Sequence, residues 1–245
     1  MPFTPAHAIA VLPFWRKRAT LPFTALVIGS IVPDYEYFIR MRFYGNYSHT
    51  LQGIFIFDLP VGFLLYILYL QVVQRPLIRH LPSPLFEKFC VPGLSRERTN
   101  LFKQSPLILL CLLAGIVTHL IWDGLTHGEE YYLASYLRFL LWNVKIVGHD
   151  VPIHRLLLII SSLLGMIVIV AFVYQLPLHF SHIQAKPSQK ARFWLFTVSC
   201  TVLIAIVRWV FGLPGEMPER QFIVLLIGAF QWALLLTCFI FRVPR

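Results

Sequence analysis

One stretch of the chain places three ionisable side chains at intervals of four residues. The segment AGIVTHLIWDGLTHGEE, residues 114–130, carries His119, Asp123 and His127 among apolar neighbours. Residues four apart lie on one face of an α-helix, with Cβ atoms about 6 Å apart, so the imidazoles and the carboxylate project into one space. Imidazole nitrogens and carboxylate oxygens are the usual donors to zinc. The spacing therefore predicts a divalent metal site, with zinc as the expected ion.

Each of these residues also has an ordinary structural interpretation. A histidine in an apolar span often hydrogen-bonds to a neighbouring helix, and His127 fits interfacial water. Three ionisable groups on one face favour the metal, because such groups inside a membrane are costly and mostly functional. The alternative hypothesis is a non-enzymatic membrane protein or small transporter that uses the stripe formed by His119, Asp123 and His127 as an ion or proton path. A relay would extend polar groups towards both membrane faces, whereas these gather near one.

The composition indicates the environment in which this helix lies. Of the 245 residues, 58% are hydrophobic and 13% are charged, and the mean hydropathy is +0.70. These values predict a polytopic membrane protein. The net charge of +10 comes from basic residues between the apolar runs, so the lipid bilayer is the expected partner and nucleic acid is not. The four cysteines have neither metal-type nor disulfide-type spacing.

Apolar runs near the ~20 residues that cross a bilayer predict an all-α membrane helix bundle. The five strong spans are 54–73, 105–126, 153–176, 192–212 and 221–241. Two shorter segments, TPAHAIAVLPFW and TLPFTALVIGSIVP, precede them and predict one or two short membrane, re-entrant or interfacial helices. We expect one integral membrane domain over 1–245, with short helices and ligand-bearing loops in 1–53 and the five-span bundle in 54–245. No cleaved signal peptide is expected, because the basic residues follow the first apolar segment.

Lysine and arginine counts predict the orientation of the spans. Loops 74–104 and 177–191 are rich in basic residues and are expected in the cytoplasm, whereas loops 127–152 and 213–220 are expected outside. His119 lies about 20 Å along its span from the cytoplasmic end, at 1.5 Å per residue. The stripe is therefore predicted in the outer half of the membrane, facing the external side.

Two other segments supply further donors on the same predicted side. Asp34 follows Pro33 in IGSIVPDYEY, and His49 lies at the mouth of the first strong span in YGNYSHTLQGIFIFD. With His119 and Asp123 they complete a tetrahedral donor set. Alternatively, Asp34 is a turn or cap residue and His49 an interfacial hydrogen-bonding group.

Two acidic residues are candidates for catalytic roles. Asp58, near the outer end of the first span, would orient a metal-bound imidazole; alternatively it pairs with Arg208. Glu130 follows the His127 turn and would act as general base, although a solvated loop is the commoner explanation. Three further histidines fall in cytoplasmic loops and receive no role: His80, His179 and His182.

These residues carry resemblances to known families. GSIVPD, SHT and the pattern G-x-x-x-H-x-x-x-D-x-x-x-H resemble bacterial membrane-bound metal-dependent hydrolases. The opening MPFTPAHAIAVLPF, with GSIVPDYEYF and FDLPVG, resembles bacterial integral membrane proteins that are labelled only as a domain of unknown function, over most of residues 1–175. The order of ligand-type residues is also similar to the soluble zinc-dependent phospholipase C and single-strand nuclease superfamily, which is all-helical and cleaves phosphoester bonds at a three-zinc cluster.

The resemblance to this superfamily implies a particular ligand set. One zinc would be held by Asp34, His49, His119 and Asp123. Asp123 would bridge to a second metal that His7 also binds, and His127 would begin a third site. The pattern then departs from the superfamily, because His149 is followed four positions later by Ile153 rather than by an acidic residue. GHDVPIH offers instead His149, Asp150 and His154, so one or two metals are expected.

Taken together, the resemblances imply a membrane-embedded, metal-dependent hydrolase of the bacterial inner (plasma) membrane. Its metal-activated water would attack a phosphoester bond. The depth of the stripe favours a reacting group at the headgroup level, as in a phospholipid or another lipid-linked phosphate. No serine-nucleophile motif, phosphate-cradling glycine loop or dinucleotide fingerprint indicates another enzyme class.

Overall fold

A computed structural model describes residues 4–90, 101–127, 136–181, 183–212 and 218–242. The predicted all-α membrane bundle is confirmed. Within these ranges, five helices are long and apolar enough to cross a membrane. The long helices are α3 (Leu51–His80), α5 (Leu101–Thr126), α6 (Ile153–Gln175), α7 (Pro187–Val210) and α8 (Pro218–Ile240).

Short helices precede and connect the long ones. A 3₁₀ helix covers Thr4–Lys17 and is followed by α1 (Phe23–Gly29), a 3₁₀ turn at Val32–Asp34 and α2 (Tyr35–Arg40). Another short helix, α4, covers Leu85–Phe89, and a 3₁₀ turn covers Arg138–Leu141. The predicted short N-terminal helices are therefore present, and the basic cluster begins at the end of the first.

The first long helix contains two wider turns. Helix α3 has π-helical segments at Ile54–Asp58 and Tyr69–Val73 between its α-helical parts. Such bulges frequently lie at functional sites. The first π segment ends at Asp58, whose side chain is fully buried. Compared with the predicted span 54–73, the helix begins three residues earlier and continues to His80.

A small β-hairpin stands where the sequence indicated only an external loop. Strands β1 (Asn143–Ile146) and β2 (His149–Pro152) pair antiparallel, with Ile146 opposite His149. The two turn residues, Val147 and Gly148, have φ angles of 49° and 81°. Positive φ at both central residues is the geometry that suits the twist of a two-residue hairpin.

The chain divides into two compact units. The first unit comprises 1–33, 49–63 and 105–175, and the second comprises 34–48, 64–104 and 176–245. The proposal of a single domain over 1–245 stays a prediction.

Close packing in each unit depends on glycine. In the first unit, the 3₁₀ helix lies against α6, where a Cβ on Gly165 would come within 2.8 Å of the Ala6 Cβ. In the second unit, α8 packs on α2, and a Cβ on Gly228 would overlap the Phe38 carbonyl oxygen. At both places the glycine lets another segment approach its helix closely.

Candidate metal centre

Two glycines bring α1 and α5 into backbone contact. A Cβ on Gly29 would overlap the Leu112 carbonyl oxygen, and a Cβ on Gly115 would overlap that of Leu26. Neither position therefore accepts a larger residue without movement of the backbone. This contact brings the C-terminal end of α1 alongside the polar stripe of α5, because Gly115 precedes His119 by one helical turn.

The end of α1 fixes the orientation and the tautomer of His119. The His119 Nδ1 lies 2.8 Å from the Ser30 carbonyl oxygen. A carbonyl oxygen only accepts hydrogen bonds, so Nδ1 carries the proton and donates it. In the neutral imidazole the lone pair is then on Nε2, which is the arrangement of a metal-binding histidine oriented by a backbone carbonyl.

Three potential ligand atoms form an equilateral triangle around that lone pair. The His119 Nε2 lies 3.3 Å from the His49 Nε2 and 3.3 Å from the Asp123 Oδ2, and the latter two atoms are also 3.3 Å apart. Metal–ligand bonds of 2.0–2.1 Å give a tetrahedron with edges of about 3.3–3.4 Å. The three atoms therefore match one face of a tetrahedral zinc site.

The members of this triangle are largely shielded from solvent. His119 is 0% exposed and Asp123 2% exposed, whereas the His49 side chain is 8% exposed. These three residues, all predicted from the sequence as ligands of one site, could hold a metal ion. Asp34, the fourth predicted ligand, is 1% exposed and belongs to the second unit, so its part in the site stays a prediction.

The second carboxylate oxygen of Asp123 faces two other histidines. Its Oδ1 lies 3.4 Å from the His7 Nε2 and 3.6 Å from the His127 Nδ1. The His7 ring stacks on the His119 ring with a centroid separation of 3.9 Å. Asp123 thus presents one oxygen to each of two histidine pairs, which is the disposition required of a bridging carboxylate.

His127 extends the stripe just beyond the end of α5. Its backbone N–H donates to the Asp123 carbonyl at 2.9 Å, so the helical register persists for one residue after Thr126. Burial lowers the pKa of the His127 ring, while the Asp123 carboxylate acts in the opposite direction. The ring is 19% exposed, more than the other members of the cluster.

The loop before α3 delivers His49 in an unusual backbone conformation. His49 has a φ of 65°, in the left-handed region that residues with a Cβ seldom adopt. The next residue, Thr50, caps α3, because its hydroxyl oxygen accepts from the Gly53 N–H at 2.9 Å. The preceding residues, Asn46, Tyr47 and Ser48, donate their backbone N–H groups to the Glu36 carboxylate.

Hydrogen bonding determines the charge state of Glu36. Burial raises the pKa of its carboxyl, but the backbone N–H groups of residues 46–48 outweigh that effect and hold the pKa below the usual 4.5. Beside it, burial alone raises the pKa of Tyr35 to about 12. Glu36 is therefore ionised and Tyr35 neutral at neutral pH.

The other predicted site residues lie elsewhere. His149 and Asp150 are exposed on β2, and the His154 Nδ1 lies 3.2 Å from the Leu140 carbonyl oxygen, to which it donates. Asp58 is buried in α3, while Arg208 donates to the Gly212 carbonyl at 2.6 Å. Glu130 lies outside the described residues. The metal and catalytic roles of these residues stay predictions.

Some supporting residues received no role from the sequence, although Gly29 and Ser30 lie in GSIVPD and Gly115 begins the pattern G-x-x-x-H-x-x-x-D-x-x-x-H. The Ser30 carbonyl and Gly29 carry no chemical signal in the sequence, because a backbone group is present at every position. Gly115 had a usable signal, since it lies one turn before His119 and therefore on the same helix face. Glu36 follows Asp34 by two residues, but its partners become evident only when the loop is folded.

The fold and the site together define a polytopic helical membrane protein with a buried histidine and aspartate cluster. Residues 1–240 match the DUF4184 family, described as a domain of unknown function, and the chain belongs to that family. No curated protein matches the chain, and no solved structure matches it. The predicted membership of a family of unknown function is therefore confirmed, whereas the likeness to hydrolases rests on the residue pattern.

Proposed function

We propose that this protein is a membrane-embedded, metal-dependent hydrolase that cleaves phosphoester bonds of lipid or lipid-linked substrates. The observation that carries the proposal is the triangle formed by the His49 Nε2, His119 Nε2 and Asp123 Oδ2, with all three sides at 3.3 Å. The proton on the His119 Nδ1 leaves the Nε2 lone pair directed towards a carboxylate oxygen. Two lone pairs at this distance repel each other unless a cation or an additional proton lies between them.

A divalent cation fits the donors better than a proton does. A proton on the His119 Nε2 would satisfy one pair of atoms, whereas a cation interacts with all three donors at once. The atoms are two imidazole nitrogens and one carboxylate oxygen, which is a donor set that suits zinc. The Ser30 carbonyl supplies the outer hydrogen bond that metal-bound histidines usually make.

The positions of the donors along their helices support a substrate at the membrane surface. Asp123 lies three residues before the end of α5, about 4.5 Å along the axis, and His49 lies two residues before α3 begins. The ends of spanning helices lie near the lipid headgroups. A phosphoester group of a lipid could therefore reach these donors while its chains stay in the hydrocarbon.

The chain's own residues would perform separate tasks in the reaction. When bound, a divalent cation brings the pKa of a bound water to about 7 and polarises a phosphoryl oxygen. His49, His119, Asp123 and Asp34 would hold it. The other oxygen of the same Asp123 carboxylate, Oδ1, would face His7 and His127. Asp58 and Glu130 stay the proposed groups for orienting a ligand and for accepting a proton.

The proposal is tested first through metal content. We expect detergent-purified protein to contain at least about one equivalent of zinc or another divalent metal by inductively coupled plasma mass spectrometry. Asp123→Asn should lose it, because the amide is a weaker ligand and cannot balance the cation's charge. His179→Ala is the matched control, since that residue has no proposed role, and should retain the metal.

Hydrolysis of phosphoester lipids in mixed micelles then tests the reaction. Protein loaded with metal should release phosphate or a headgroup from the lipid, and Asp123→Asn should abolish this release. A wild-type protein without metal would contradict the metal site and would favour the ion-path alternative, which a proteoliposome proton-flux assay would then measure. Bound metal without hydrolysis across phosphoester lipids would contradict the reaction alone.

A further inference from the structure

Glu36 binds one turn of the loop that leads to His49. Its Oε1 accepts from the Asn46 N–H at 2.8 Å, and its Oε2 accepts from the N–H groups of Tyr47 at 3.0 Å and Ser48 at 2.8 Å. The residue is 1% exposed. Hydrogen bonds from N–H groups to an ionised carboxylate are about twice as strong as neutral ones. Three of them in succession fix the backbone of residues 46–48.

Two neighbours complete the surroundings of this carboxylate. The Arg40 Nη2, one helical turn further along α2, lies 2.9 Å from the Glu36 Oε1. Gly45 packs directly on the carboxylate, since a Cβ there would come within 3.2 Å of the Glu36 Oε2 and 3.0 Å of the Tyr37 Cε1. The loop is thus closely fitted around the carboxylate.

The residue that follows this fixed turn is a candidate metal ligand. His49 is bonded directly to Ser48 and has the left-handed φ of 65°. Such a conformation persists in a residue with a Cβ only where its surroundings hold it. Here the chain is held on both sides of His49, by Glu36 at Ser48 and by the Thr50 cap of α3.

We propose that Glu36 is a positioning residue for the metal centre, acting through the backbone of residues 46–48 to hold His49 in its left-handed conformation. This inference rests on the proposed function, because it requires His49 to be a metal ligand. Glu36 is expected to touch neither the metal nor the substrate. Its effect is to keep the His49 Nε2 at 3.3 Å from the Asp123 Oδ2.

A double-mutant cycle tests this indirect action. Co²⁺ is titrated into the detergent-purified full chain and followed by its visible absorption, for the parent, Glu36→Gln, His49→Ala and the double variant. Loss of a residue that orients a metal ligand from outside the metal's own ligand set typically weakens metal binding about 10–100-fold. We expect that weakening for Glu36→Gln in the parent and no further weakening in the His49→Ala background, because the ligand that Glu36 positions is then absent.

A matched control separates this effect from general destabilisation. Glu87 accepts a hydrogen bond from the Ser83 hydroxyl at 2.7 Å. Within the described part of the chain, it binds no loop that leads directly to a candidate ligand. Glu87→Gln makes the same chemical change and should leave the Co²⁺ affinity unchanged. If Glu36→Gln does not fold, Gly45→Ala crowds the same carboxylate and should give a smaller weakening that also disappears with His49→Ala.

The possible results distinguish the two proposals. Equal weakening by Glu36→Gln with and without His49 would show that Glu36 only stabilises the fold, and would overturn the inference. Unchanged affinity in Glu36→Gln would overturn it as well, while leaving the metal site in place. A parent protein that binds no Co²⁺ would overturn the proposed metal site and the inference with it.

Discussion

Two buried histidines, one in each compact unit, make the same hydrogen bond through Nδ1 but differ in what surrounds the rest of the ring. The His119 Nδ1 donates to the Ser30 carbonyl at 2.8 Å, and the His80 Nδ1 donates to the Pro76 carbonyl at 2.7 Å. The His119 Nε2 then meets two other potential ligand atoms. The His80 ring instead stacks on Phe193, with centroids 4.4 Å apart and planes 7° apart.

The comparison shows that burial and a carbonyl partner do not by themselves identify a metal ligand. Around His80, the Trp194 indole donates to the His80 carbonyl at 2.9 Å and Phe241 packs edge-on at 6.1 Å. That environment is aromatic and stabilises packing. Around His119, the neighbouring groups are donors that converge from separate segments. The atoms that meet the second ring nitrogen therefore decide between a structural and a ligand role.

Replacing each histidine by alanine should give opposite results, and this is the largest expected effect. His119→Ala should weaken metal binding by at least about 100-fold, since losing even a partner of a ligand costs about 10–100-fold. His80→Ala should leave metal binding unchanged and lower the free energy of unfolding by about 2–4 kcal/mol through lost packing. Metal titration and denaturant unfolding measure the two. Equal loss of metal in both variants would remove the distinction.

A substitution in the contact between α1 and α5 offers a second way to separate effects on the metal site from effects on packing alone. Gly115→Ala would place a Cβ on the Leu26 carbonyl oxygen, which should cost about 1–3 kcal/mol of stability. Because the Ser30 carbonyl would shift from His119, metal affinity should also fall about 10-fold. Isothermal titration with zinc measures the fall.

Gly62→Ala is the matched control for that substitution. Its Cβ would lie 3.1 Å from the Leu112 Cδ2, a methyl group that can move aside. We expect the free energy of unfolding to stay within about 1 kcal/mol of the parent value, with metal binding intact. Loss of metal in Gly62→Ala but not in Gly115→Ala would contradict the role assigned to the α1–α5 contact.

The pH dependence of stability tests the Glu36 carboxylate independently of any metal. Its pKa in the folded protein lies below the usual 4.5, so the folded chain binds this proton less readily than the unfolded chain does. The stabilisation is therefore fully present above pH 4.5 and is lost as the pH falls through the lower, folded-state pKa. Thermal melts should show Glu36→Gln well below the parent at about pH 7, with the difference shrinking in acid.

Glu87→Gln serves as the control for the melts. Its carboxylate bonds to one exposed hydroxyl, that of Ser83, so it should show a much smaller difference from the parent. A difference for Glu36→Gln that grows below pH 4.5 would show that the sign of the Glu36 contribution is wrong.

The smallest expected effect concerns a polar pair in the second unit. The Thr197 hydroxyl lies 3.1 Å from the Thr237 hydroxyl and also donates to the Phe193 carbonyl at 2.9 Å. Hydrogen bonds between membrane helices average about 0.6 kcal/mol, so Thr197→Val should lower stability by about that amount and leave metal content unchanged. A change in metal content would mean that the buried polar groups of this unit are not purely structural.

The sequence predicted the parts of the fold that depend on local patterns. Apolar run lengths predicted the five long helices, and the i, i+4, i+8 spacing predicted that His119, Asp123 and His127 converge. The hairpin at 143–152 was not predicted, because its turn requires positive φ at Val147, a residue type that does not signal it. The exposure of His149 and Asp150 depends on the formation of that hairpin, so the sequence did not predict it either.

The sequence by itself determined the membrane environment, the helices and the stripe on α5, because hydropathy and helical periodicity act over a few adjacent residues. Only the tertiary structure decided that the His119 Nδ1 meets the Ser30 carbonyl and that His7 stacks on His119. It also decided that Glu36 fixes the turn before His49. These contacts join segments that are distant along the chain or depend on the path of a loop, and their distances are set by packing, which no local pattern of residues encodes.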